Sequence, residues 1–156
     1  MKYTRLTKEQ LEELNQEFIN FLATQSITGE EWKKIKEQKP EVAEEELDVF
    51  SDLVWEGVLS KVDYLENIAP QHMYLFNAGE TQLRLIGLKI KREEIDLTTK
   101  EGFAWLRENL MSDEVELFNA DKSIETDKNI KIFELIKQGS TITKGELFKY
   151  FDDLIG

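Results

Sequence analysis

The sequence predicts an α+β domain that is helix-dominated, helical through its first half and then built around a small mixed sheet of three strands, a hairpin plus one strand, with helices against it. Three observations predict this class. Apolar residues recur at helical spacing through most of the chain up to Ile68; two β-rich runs between Gln71 and Ile90 flank a cluster of turn formers; and four threonines are each followed three positions later by Glu or Gln.

Those four pairs, Thr7/Gln10, Thr28/Glu31, Thr98/Glu101 and Thr143/Glu146, fit the capping box, in which the hydroxyl accepts from one orphan amide while the longer side chain returns to another. The first helix is expected from Thr7 to Ala23 with Leu11, Leu14, Phe18, Phe21 and Leu22 inward, and a short second one carries Trp32 and Ile35 to Lys39. Pro40 suits the first turn of a third helix, where its missing N–H costs nothing. That helix is expected to run from Glu41 to Ile68, with Leu47, Phe50, Val54, Gly57, Val58, Lys61, Leu65 and Ile68 on one face, and to end before Pro70. Gln71 to Phe76 and Thr81 to Ile90 then form a hairpin around Asn77-Ala78-Gly79-Glu80, and Gly87 marks a bulge in the second strand. A helix over Thr98–Leu110 and a strand over Val115–Asn119 follow; set beside the second hairpin strand, that strand would be parallel to it through a right-handed crossover. Two helices, Thr126 to Gln138, stopped by Gly139, and Thr143 to Ile155, complete a single domain over 1–156, with a helical half at 1–69 and a sheet-plus-helices half at 70–156.

Composition excludes several function classes. With 156 residues, 20 basic against 32 acidic for a net charge of −12, the surface is ill suited to neutralise nucleic-acid phosphates or anionic lipid. The absence of cysteine removes disulfides, thiolate metal sites and a thiol nucleophile, and fits a cytoplasmic setting. No apolar run approaches the ~20 residues a membrane-spanning helix needs, and the polar N-terminus does not resemble a signal peptide.

The charge is segregated. Residues 1–40 carry seven acids and seven bases, residues 41–66 nine acids and one base, and residues 67–156 sixteen acids and twelve bases. At ~100° per residue, Glu41, Glu44, Glu45, Asp48, Asp52, Glu56, Asp63 and Glu66 fall within about 60° of one direction, and only Glu46 points elsewhere. Like charges one turn apart repel, so the stripe does not serve helix stability. Trp55 and Leu59 project into it. Another element of the chain, the first helix or the hairpin, covers them, or Asp48, Asp52, Trp55, Glu56, Leu59 and Asp63 make a partner-binding patch with an aromatic anchor and a charged rim, or the two are ordinary exposed residues.

Candidate chemistry is sparse. His72 is the single histidine, at the start of a strand with no carboxylate placed beside it by spacing, and reads as a surface or edge-strand residue. Asn119–Asn129 alternates oxygen-bearing side chains like a calcium loop, but counting from Asp121 the sixth place is Thr126 instead of Gly and the twelfth Ile132 instead of Glu, so it reads as a polar loop and helix cap. The order of elements is loosely that of a metal-dependent nuclease core, without its Asp and Glu-x-Lys. Arg84, Lys89, Lys91 and Arg92 form a small basic cluster that reads as a solvated strand edge. No catalytic, cofactor-binding or metal-ligating residue is assigned.

Met1-Lys2-Tyr3-Thr4-Arg5-Leu6-Thr7, Glu45-Glu46-Leu47-Asp48, Ile95-Asp96-Leu97-Thr98-Thr99-Lys100-Glu101-Gly102 and Ile142-Thr143-Lys144-Gly145-Glu146-Leu147-Phe148 give the chain a likeness, through most of its length, to an uncharacterised family of short acidic proteins from Bacteroidota with no assigned function. The resemblance implies a bacterial cytoplasmic protein and carries no active site with it. The functional expectation is a non-enzymatic interaction module or adaptor whose helix 41–66 meets a basic protein; a small carboxylate-based metal-dependent hydrolase or nuclease, and a structural homodimer covering Trp55, are the alternatives.

Overall fold

A computed structural model describes residues 1–155, which form two compact units, Met1–Ser60 and the chain from Lys61 on. The first unit holds α1 (Lys8–Glu13), α2 (Asn15–Thr24), α3 (Gly29–Gln38) and α4 (Pro40–Leu59). The Thr7 capping box is complete: the hydroxyl accepts from Gln10 N at 3.2 Å and Gln10 Oε1 accepts from Thr7 N at 2.9 Å. Thr28 caps α3 through Glu31 N, and Pro40 opens α4. The expected helix over Thr7–Ala23 is two helices, broken at Leu14, where the backbone leaves helical values at φ −99° and ψ 23°. Both pieces still feed one cluster, in which Phe18 meets Trp32 and Phe50 edge-on at 5.1 Å and Leu6, Leu22 and Phe50 are buried.

The third predicted helix stops at Leu59 instead of reaching Ile68. Residues 64–69 are a strand, although Leu65 and Ile68 also satisfy helical spacing. Backbone pairing on both sides, with His72–Ala78 and with Thr141–Thr143, outweighs the local preference.

The second unit contains β1 (Tyr64–Ala69), β2 (His72–Ala78), β3 (Gln82–Ile90), α5 (Lys100–Asn109), β4 (Val115–Ser123), α6 (Lys128–Lys137), β5 (Thr141–Thr143) and α7 (Glu146–Ile155). The sheet has five strands in the order β4-β3-β2-β1-β5, every neighbouring pair antiparallel, where three strands and a mixed sheet were expected. The hairpin of β2 and β3 is present, but Asn77 and Ala78, expected in its loop, belong to β2, and the turn spans residues 79–81. The β3–β4 connection is not a crossover: Ile90 stands opposite Val115 and Lys91 N donates to Glu114 O at 2.9 Å, so α5 is an excursion that returns to the end of the sheet it left.

Gly87 marks no bulge, because the β2–β3 register is unbroken from His72 opposite Lys89 to Ala78 opposite Leu83. It faces Phe118, whose ring lies 2.1 Å from where a Cβ would stand, so glycine makes room for an aromatic. Two expected caps are displaced. Thr99, not Thr98, caps α5 by accepting from Gly102 N, while Thr98 donates to Asp96; Thr143 lies in β5 and accepts from Gly145 N. One face of the sheet offers Met73, Leu75, Ile86, Leu88, Ile90 and Val115 to Leu97, Leu106, Phe148 and Phe151 from α5, α7 and the loop before α5. Burying each such side chain is worth about 1.5–3 kcal/mol.

Candidate interaction surface

Along α4, Glu44, Asp48, Asp52 and Glu56 follow one another at one-turn spacing, as the sequence implies, and what lies on them is the chain's own N-terminal segment. Asp52 accepts from two consecutive backbone amides, Lys2 N at 2.8 Å and Tyr3 N at 2.9 Å. Lys2 Nζ donates to Glu56 at 2.5 Å, and the Tyr3 hydroxyl donates to the same carboxylate. Trp55 Nε1 donates to Thr4 O at 3.1 Å, and its ring lies 6.5 Å from that of Tyr3. The Arg5 guanidinium is shared between Asp48, at 2.7 Å, and Glu44. Leu6 then enters the core, its amide donating to Ser51 Oγ at 3.0 Å.

The electrostatics follow from these contacts. Partial burial, reinforced by the Glu56 carboxylate, pushes the Tyr3 phenol up to about 12. Hydrogen bonds that Arg5 donates to Asp48 and Glu44 raise its already high value.

Of the six residues expected to form a patch, Asp48, Asp52, Trp55 and Glu56 are together on this helix. Leu59 is fully buried and offers no surface. Asp63 is off the helix, which ends before it, and lies 3.8 Å from Lys128 Nζ. Sequence reasoning missed Ser51, whose hydroxyl donates to Leu47 O at 2.8 Å while accepting from Leu6 N. Its signal was legible: a small hydroxyl residue between Leu47 and Val54 on an otherwise apolar face.

Another feature of α4 went unread. Val49 and Leu53, one turn apart, are 53% and 55% exposed, and Gly57 continues their row with open space around it. The exposed Glu45, four residues before Val49, heads this row, and Glu46, accepting from Gln25 at 2.8 Å, lies beside it.

Elsewhere the expected chemistry is dispersed. β2 and β3 are inner strands, so neither His72 nor the basic cluster sits on a sheet edge. His72 stands 4.8 Å from the Tyr74 ring. Arg84 forks onto Asp152 at 2.8 and 3.2 Å, holding that carboxyl below the usual carboxylate range, while Arg92 meets Glu94 and Glu114 and Lys91 meets Glu116. Asn119–Ser123 belongs to β4, and Asp127 caps α6 through Asn129 N at 2.8 Å. Among the described residues, no three His, Asp or Glu side chains are grouped to hold a metal ion, and no helix is long and apolar enough to cross a membrane.

The chain belongs to a family of unknown function, DUF6495, whose model matches residues 1–156. No curated protein and no solved structure matches it.

Proposed function

We propose that the protein is a non-enzymatic interaction module that presents α4 to a basic partner. The observation that carries this reading is the exposed pair Val49 and Leu53 on a helix with seven acidic and no basic residues. Such a face complements an amphipathic basic helix with apolar residues one turn apart between lysines or arginines: apolar contact supplies affinity and the carboxylates speed encounter. The apolar anchor lies a quarter turn or more from Trp55, which is engaged with the strap. Asp48, Asp52 and Glu56, with the strap on them, form one edge of this face. A second copy is the poorer occupant, since α4 against α4 sets like charges opposite each other. The setting we propose, on the absence of cysteine and the likeness noted from sequence, is the cytoplasm of a bacterium of the Bacteroidota.

The test is affinity capture from a nuclease-treated lysate at low and moderate salt, comparing the unaltered chain with Leu53→Glu and with the double reversal Glu41→Lys plus Glu45→Lys. All three positions are exposed, so the fold is kept. The expected result is a basic protein held at low salt, released as salt rises and absent from both variants. The same proteins captured by all three chains would overturn the reading.

A further inference from the structure

A second feature, in the sheet unit and independent of α4, is a cleft of about 450 Å³ between the sheet, α5 and the start of α7, within the range of about 300–1,000 Å³ typical of small-molecule sites. Its floor and walls are apolar: Ile68 and Met73 from the sheet, Leu97 from the loop before α5, Phe103 from α5 and Leu147 from α7. Its rim carries Lys100 and Arg107. In a chain with 32 acidic residues, Arg5, Arg84 and Arg92 are each held by carboxylates, whereas among the described residues no carboxylate lies against Arg107. Its guanidinium stands instead over the Phe103 ring, 5.4 Å from the centroid, at the mouth of the cleft. The Thr98 and Thr99 hydroxyls donate to Asp96, leaving the two cations as the charged groups on the lining.

We infer that this cleft binds a small carboxylate carrying an apolar chain, its head group on Arg107 and Lys100 and its chain along Met73, Phe103 and Leu147. The guanidinium fork matches a carboxylate in geometry as well as charge, and the Phe103 ring backs one face of it. The uncharged counterpart of the same ligand lacks the head-group contact, so discrimination rests on the two cations.

Methionine supplies the readout. Met73 is 1% exposed and lines the cleft, while Met1 and Met111 are 62% and 92% exposed and lie outside its lining. Octanoate is titrated into the full chain carrying ¹³C-methyl methionine, with 1-octanol as the neutral control. The expected result is a saturable shift of the Met73 methyl with Met1 and Met111 unmoved, binding about tenfold weaker in Arg107→Gln and in Lys100→Gln, and octanol weaker than octanoate by about the same factor. Both variants alter exposed side chains, so they retain the fold, and Lys100→Gln removes a cation without touching the Arg107 packing on Phe103. An unmoved Met73 methyl, octanol matching octanoate, or variants matching the unaltered chain would each overturn the inference.

Discussion

Residues 2–6 and β3 are both non-helical segments laid against another element, yet different forces hold them. β3 is paired along its length by β2 and β4, and its alternate side chains enter a buried apolar layer. The N-terminal strap lies along a helix, whose own amides and carbonyls are spent internally. Apart from an Arg5 contact to Glu44 O at 3.4 Å, its donors therefore end on side chains: Asp52, Glu56, Asp48, Glu44 and Ser51. A segment with strand neighbours is written in the sequence as alternation. One without them is written as charge complementarity between distant stretches, here Lys2 and Arg5 against the carboxylates of α4.

The comparison breaks first where burial is greatest. Phe151→Ala, at a fully buried ring beneath the sheet, is expected to cost about 3–5 kcal/mol in urea unfolding, with little dependence on salt. Ser51→Ala removes the acceptor of the Leu6 amide at a site sealed from solvent and is expected to cost about 1–3 kcal/mol. Lys2→Glu plus Arg5→Glu acts on partly exposed pairs, each worth at most about 1 kcal/mol, and its cost should shrink in 1 M salt while that of Phe151→Ala does not. Equal salt sensitivity in the two variants would show that the strap is held by packing and not by charge.

The smallest effect is a pH dependence. Tyr3 titrates near 10.0 when unfolded and about 12 when folded, so between those values the native state keeps a proton the unfolded chain has lost. Its contribution is complete below pH 10, falls as pH rises through about 12, and should vanish from the stability curve of Tyr3→Phe.

How much was legible depends on which interactions settle each element. The Thr7 and Thr28 caps, the Pro40 start and the β2–β3 hairpin were read correctly because each is decided by contacts a few residues apart. The Thr98 box failed by one residue, since Thr99 caps the helix by accepting from Gly102 N and Asp96 accepts from the Thr98 hydroxyl. In the candidate surface, Asp48, Asp52, Trp55 and Glu56 were singled out from charge and spacing. The strap that lies on them was not, because Lys2–Leu6 carries no periodic signal and its partners are 39 to 54 residues away.

By itself, then, the sequence determined where α1, α3 and α4 begin, that an acidic face runs along α4 and that a hairpin starts near His72, all consequences of local hydrogen bonding and periodicity. Only the tertiary structure decided that α4 ends at Leu59, that β1 and β5 join the sheet, that β3 and β4 run antiparallel, and that Leu59 is buried while Val49 and Leu53 are not. Those outcomes turn on pairing between distant segments. Tyr64–Ala69 fits helix and strand almost equally by pattern, and it is a strand because two neighbours supply hydrogen bonds on both sides.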